Sequence, residues 1–249
     1  MLLEYFVVCG VALIASGLTL FSGFGLGTVI MPTFALFFPI PVAVAAAAVV
    51  HLANNLFKVF LVGRKADWPA VLRFALPAAF AAIIGAALLG LFEHISTFLK
   101  LAIGILVIFF SFFDLLPRLQ NLSFDRKYLS LGGLLSGFFG GLSGFQGALR
   151  SAFLMKVGLE KEAFIGTGTV AAVIVDVARL AVYGMGLYAT KFAAIPAGTG
   201  SLILAATLAA FVGAFFGARM MKKVTLQAIQ VLVGIMLIAV GLGMASGLF

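Results

Sequence analysis

Ser22-Gly23-Phe24-Gly25-Leu26-Gly27 and its altered echo Ser143-Gly144-Phe145-Gln146-Gly147 decide the fold of this chain, because both lie inside long hydrophobic sequence, one in each half. A shift of 121 positions that superposes them also places Asn55 over Asp176, Lys58 over Arg179 and Gly63 over Gly184. Glycines let a backbone leave the helical path. Broken helices near the middle of a bilayer are where membrane transporters place their substrate sites. The doubled segment therefore predicts a duplicated membrane transporter.

Working outward, 64% of the 249 residues are hydrophobic and only 10% are charged. The mean hydropathy of +1.26 is far above that of a soluble domain. Crossing a hydrocarbon core of about 30 Å takes about 20 helical residues. Apolar runs of that order occur near 3–21, 42–62, 70–91, 98–116, 162–183, 193–217 and 224–246. They are continuous rather than alternating, which indicates helices and not a barrel. The first run is expected to be retained rather than cleaved, since Glu4 stands where a signal peptide carries basic residues. The single Cys9 rules out an intramolecular disulfide.

Between the runs, residues 23–41 are apolar but interrupted by Gly23, Gly25, Gly27, Pro32, Pro39 and Pro41, and their counterpart spans Ser143 to about Gly158. Each reads as the returning arm of a hairpin tipped by the glycine segment. Full crossing and re-entrance remain equally compatible with the pattern. The expected architecture is an all-α polytopic membrane protein made of two inverted-topology repeats, each a Gly-rich broken or re-entrant hairpin plus three spanning helices. The first repeat covers 1–116, with its hairpin at 3–39 and spanning helices at 42–62, 70–91 and 98–116. A cytoplasmic linker covers 117–127. The second repeat covers 128–249, with its hairpin at 128–157 and spanning helices at 162–183, 193–217 and 224–246.

Loop charges orient this arrangement. With both termini outside, the inward segments carry Arg64, Lys65 and Arg73, then Arg118, Arg126 and Lys127, then Lys156 and Lys161, then Arg219, Lys222 and Lys223. The outward segments carry Lys100 and Lys191 alone. The positive-inside rule favours that orientation, and it also accounts for the net charge of +8 without a nucleic-acid partner.

Three cations remain inside the apolar runs: Lys58, Arg150 and Arg179. A charge at the centre of a spanning helix costs about 2.5–3.5 kcal/mol on insertion scales, so it usually faces a partner or a watery cavity. Lys58 and Arg179 have an alternative in snorkelling to the interface, although Asp176 stands one turn before Arg179. Arg150, six residues beyond Gly144, has no loop nearby. Beside exposed N–H groups at a hairpin tip its guanidinium suits a carboxylate, sulfonate or similar oxyanion, with a structural ion pair as the alternative.

Ser22, Gly23, Gly25, Gly27, Ser143, Gly144, Gln146, Gly147 and Arg150 are thus the expected substrate-binding residues. His51, Asn54, Asn55, Lys58, Asp176 and Arg179 are expected to line the path or serve coupling, with His51 or Asp176 as the residue that binds a coupling proton. Interhelical hydrogen bonding is the plainer role for the polar helix residues. Thr167 and Thr169 could line the path or bond to their own backbone, and the second reading is preferred. Gly213 and Gly217 have helical spacing for which packing suffices. No catalytic set, metal cluster, nucleotide loop or cofactor motif is read from the sequence, and His51 and His94 lie in separate segments without zinc spacing.

At these residues the chain resembles the TauE/SafE family of anion permeases. The first half carries Gly23-x-Gly25-x-Gly27 followed after four residues by Pro32, then a small-residue helix and the Gly63 turn. The second half is similar but altered, with Gly141, Gly144 and Gly147 and with Arg150 added. That resemblance implies transport of sulfite, sulfonates, sulfoacetate or other small organic anions across a bacterial cytoplasmic membrane. The expected function is a secondary transporter of a small anion working by alternating access and proton-coupled. A membrane-embedded enzyme, a lipid-handling protein and a passive anion channel are the rivals. The partners expected are the solute, the lipid bilayer and a coupling proton, and a homodimer is compatible with the sequence.

Overall fold

The computed structural model describes residues 2–19, 26–91, 96–116, 123–184 and 198–220, together with 235, 238, 241–243 and 246. Its helices are α1 (Leu2–Thr19), α2 (Leu26–Ala35), α3 (Ile40–Val62), α4 (Trp68–Leu91), α5 (Ser96–Leu115), α6 (Leu129–Ser143), α7 (Gly147–Leu154), α8 (Lys161–Val182) and α9 (Thr199–Met220). Among the described residues there is no strand. The chain is an all-α polytopic membrane protein: α3, α4, α8 and α9 are each long and apolar enough to cross a membrane. The apolar run at 224–246 falls mostly outside the described residues.

Helix boundaries follow local chemistry. Pro39 precedes α3 and Pro41 sits in its first turn, where a missing N–H has no intrahelical partner to lose. Asp67 caps α4, its Oδ1 accepting from the Ala70 N–H at 2.7 Å. The hairpin arms are short. At 1.5 Å per residue, α2 with 10 residues and α7 with 8 reach only about 15 and 12 Å. Neither described helix is by itself long enough to span a hydrocarbon core of about 30 Å.

Two seams of bare backbone hold long helices together. Gly133, Gly137 and Gly141, spaced four apart on α6, lie against α4; a methyl group at Gly137 would sit 2.6 Å from both C and Cα of Ala78. On the far side of the molecule α1 meets α9, where a methyl at Gly217 would sit 2.6 Å from Cα of Gly17. In lipid such close approach supplies the dispersion contact that water-driven burial supplies elsewhere.

The packing partners follow a regular exchange. A shift of 121 residues moves α1, α2, α3 and α4 onto α6, α7, α8 and α9. It converts the α1–α9 contact into α6–α4, α3–α9 into α8–α4, and α2–α3 into α7–α8, while α3–α8 maps onto itself.

Charged turns gather at one end. The Lys65 ammonium pairs with Glu162, Arg126 Nη2 lies 3.9 Å from Asp67 Oδ1, and the Phe124 N–H donates to the Ala152 carbonyl. The α3–α4 turn, the stretch before α6 and the α7–α8 turn are therefore neighbours. Elsewhere the first turns of α1 and α9 are tied by Tyr5 Oη and Ser201 Oγ at 2.5 Å.

Candidate functional site

The tip of the second hairpin is built around Gly144. It stands at φ +85° at the end of α6, donating its N–H to the Gly140 carbonyl, and this left-handed turn suits glycine. Two residues later Gln146 precedes α7, and Ser136 Oγ donates to the Gln146 carbonyl at 3.0 Å, fixing where α7 begins. The first turn of α2 arrives at the same place. A methyl group at Gly27 would lie 3.1 Å from the His51 ring and 3.4 Å from the Gly144 carbonyl oxygen, so the two arms meet at the middle of α3.

Behind this junction Asp176, fully buried on α8, collects hydrogen bonds. Its Oδ2 accepts from His51 Nδ1 at 2.7 Å and from Asn55 Nδ2 at 3.3 Å. Its Oδ1 accepts from Gln146 Nε2 at 3.1 Å and from Arg179 Nε and Nη2 at 3.0 and 2.7 Å. Arg179 also donates to the Gly140 carbonyl at 3.0 Å, and Tyr183 Oη bonds the Gly141 carbonyl. Asn55 and Asp176 are the pair that the 121-residue shift superposes. Positions related by a two-fold axis touch only next to that axis.

In front of the junction is a cleft of about 600 Å³, counting the open solvent at its mouth. Lys58 and Arg150, each nearly buried, line it, and among the described residues no carboxylate does. Thr28 and Gly27 come from the first turn of α2, Gln146 and Gly147 from the start of α7. Ser151 adds a hydroxyl beside Arg150. The remaining wall is Phe164, Ile165, Gly168 and Thr169 on the first turns of α8, which lead toward Lys161 and Glu162 at the charged end. Two cations, the N–H groups at the start of α7, and several neutral donors make a cavity suited to one small anion.

Of the residues expected from sequence, Gly27, Gly144, Gln146, Gly147, Arg150, His51, Asn55 and Lys58 line the cleft together. Ser22, Gly23 and Gly25 lie outside the described residues. Ser143 is buried with its hydroxyl donated to the Phe139 carbonyl, away from the cleft. Asn54 accepts from Ser16 Oγ at 2.8 Å, on a different face of α3 from His51 and Asn55. Asp176 and Arg179 stand behind the wall rather than in it. Arg179 is 1% exposed and paired, so it does not snorkel. Thr169 bonds the Ile165 carbonyl as expected yet also lines the cleft, whereas Thr167 Oγ1 accepts from the Asp67 N–H, joining α8 to the α4 cap.

Thr28, Ser151, Leu154, Phe164, Ile165 and Gly168 were not anticipated. Ser151 had a signal in its place next to Arg150. Phe164 and Ile165 had none, since nothing local distinguishes an apolar residue facing a cleft from one facing lipid. Among the described residues no group of His, Cys, Asp and Glu is placed to hold a metal ion.

A family model described as sulfite exporter TauE/SafE matches residues 8–244. No curated protein and no solved structure matches the chain.

Proposed function

The chain belongs to the sulfite exporter TauE/SafE family, whose members are membrane anion transporters, and from that premise we propose a secondary transporter that binds one small oxyanion between its hairpin tips. The observation that carries this reading is the charge of the cleft: Lys58 and Arg150 line it with residues of α2 and the first turn of α7, and among the described residues no carboxylate lines it. Arg150 grips the anionic headgroup through its forked guanidinium, Lys58 supplies a second charge, and Ser151 and the first N–H groups of α7 complete the donor shell. The favoured substrates are organosulfonates and sulfur oxyanions, sulfite and sulfoacetate among them.

Alternating access is the proposed cycle, driven by a proton gradient. Two inverted repeats, with both termini periplasmic and the membrane the bacterial inner one, are the architecture proposed to carry it. The exchanged helix pairing and the Asn55–Asp176 contact favour the two-fold relation. The convergence of Lys65, Arg126 and Glu162 at one end, with the α1 and α9 starts joined elsewhere, favours the orientation. Since the cleft wall continues along α8 toward Lys161, the conformation is read as open to the cytoplasm.

The test is a thermal-shift screen of purified protein against sulfite, sulfoacetate, taurine, short carboxylates and phosphate, beside Arg150→Ala. A bound anion raises Tm by mass action. Stabilisation by a sulfur oxyanion or sulfonate, absent in Arg150→Ala, is expected. The same stabilisation in wild type and variant would remove Arg150 from the site, and no shift with any anion would overturn the reading.

A further inference from the structure

We propose that Nε2 of His51 is the binding site of the coupling proton and that it takes the proton together with the anion, an inference that rests on the anion-transport reading above. The argument begins at Asp176. Its carboxylate accepts five hydrogen bonds, from His51, Asn55, Gln146 and twice from Arg179, so its lone pairs are all engaged. A proton arriving from the cleft finds no place on it. The same hydrogen bonds settle the histidine. With Nδ1 at 2.7 Å from a carboxylate oxygen, the ring hydrogen sits on Nδ1, leaving Nε2 as the atom able to gain a proton.

His51 lines the cleft, and the ring edge bearing Nε2 faces Gly27 on α2. With the cleft empty, the surroundings of Nε2 are those of an acceptor. Asn55 Nδ2, a donor held by Asp176 Oδ2, lies beside both ring nitrogens, 3.1 Å from Nδ1 and 3.3 Å from Nε2. The charged groups around the ring are Asp176 and Arg179 from α8, Arg150 from α7 and Lys58 from α3 itself. The described part of α2 contributes no titratable side chain, and neither does α9 between residues 199 and 217. Arg179 already neutralises the Asp176 carboxylate, which leaves two cations, Arg150 and Lys58, uncompensated. A further cation on His51 is repelled, and its new N–H meets a donor.

An oxyanion in the cleft reverses both conditions. It offsets Lys58 and Arg150, and its oxygens accept from Nε2–H. Anion and proton binding therefore favour one another, and by linkage each raises the affinity of the other by the same factor. The proton comes from water in the cleft and returns to water when the anion leaves, so no covalent step or co-reactant is needed. His51 is then the point where the solute and the ion gradient are joined, and Asp176 fixes its tautomer.

The experiment measures proton uptake on sulfite binding in weakly buffered nanodiscs, with wild type beside His51→Gln. The anion's own titration is common to both proteins and cancels in the difference. Wild type is expected to take up about one proton more per sulfite bound than the variant, which binds sulfite more weakly and is brought to saturation before the two are compared. Equal uptake in the two overturns the proposal. A second measurement needs no variant at this position: nitrogen-15 histidine NMR of a His94→Gln protein, in which His51 is the one histidine left. The ring should pass from Nδ1–H alone to both nitrogens protonated when sulfite is added; a ring unchanged in sulfite-saturated protein overturns the proposal. If another anion of the thermal-shift screen stabilises the protein and sulfite does not, that anion replaces sulfite in both measurements; if none binds, the anion reading falls, and this inference with it.

Discussion

Replacing Gly137 by alanine is expected to loosen the whole α4–α6 unit and, through it, the site. The added methyl would lie 2.6 Å from C and Cα of Ala78 and nearer still to the Ala78 carbonyl oxygen, all of them backbone atoms that no rotamer change can move. Carbon atoms in contact prefer about 3.5–4.0 Å, so the two helices must part by about 1 Å along this seam. Gly133 and Gly141 flank the position at one turn either side and lose their own contact as the seam opens. Overpacking of this kind costs about 1–3 kcal/mol, here at the upper end because the strain is backbone against backbone. For a chain of this size that corresponds to a Tm lower by about 5–10 °C. Gly140 and Gly141 accept from Arg179 and Tyr183, and Ser136 holds Gln146, so sulfite affinity should fall with Tm. Differential scanning fluorimetry in nanodiscs is the assay, with Gly10→Ala as control, since nothing lies within 4 Å of a methyl there. A Gly137→Ala protein melting with the Gly10→Ala control would refute the reasoning.

Further expectations concern charge. Removing one partner of the buried Asp176–Arg179 pair, as in Asp176→Ala, leaves an uncompensated cation and should destabilise by about 3–5 kcal/mol; the double variant Asp176→Ala/Arg179→Met should recover part of the lost Tm. Lys58→Met should leave Tm near wild type while weakening sulfite binding by about tenfold, read by calorimetry, because its charge faces the cleft. Lys65→Ala should change Tm by less than about 1 °C, since the Lys65 and Glu162 side chains are 64% and 60% exposed and water screens the pair.

How much of this was legible beforehand depended on how local the signal was. Helical class and the hairpin tips follow from continuous apolar runs broken by glycine, both visible along a single strand of text. His51, Asn55 and Lys58 recur at i, i+4 and i+7, which puts them on one helical face, and that face lines the cleft. Asn54 is one residue, or about 100° of helical turn, away from Asn55, and its partner Ser16 could not be known without the fold. Arg179 was ambiguous because an ion pair and a snorkelling side chain have the same sequence. Phe164, Ile165 and Gly168 of the α8 wall escaped notice because their role arises from α7 and α3 leaning against them. Gly133, Gly137 and Gly141 carry the small-residue spacing of a membrane seam, but nothing in that spacing names Phe74, Ala78 and Ala82 as the opposite side.

The exchanged seams also govern what a severed chain can do. Gly17 of α1 is met by α9, and the α6 glycines are met by α4, so each half carries the counterpart of the other half's first helix. A fragment ending before α6 would insert with a glycine face and no surface to cover it, as would the fragment that begins there. Produced in the same membrane, the two pieces hold complementary faces and can rebuild the intact particle without the peptide link between them.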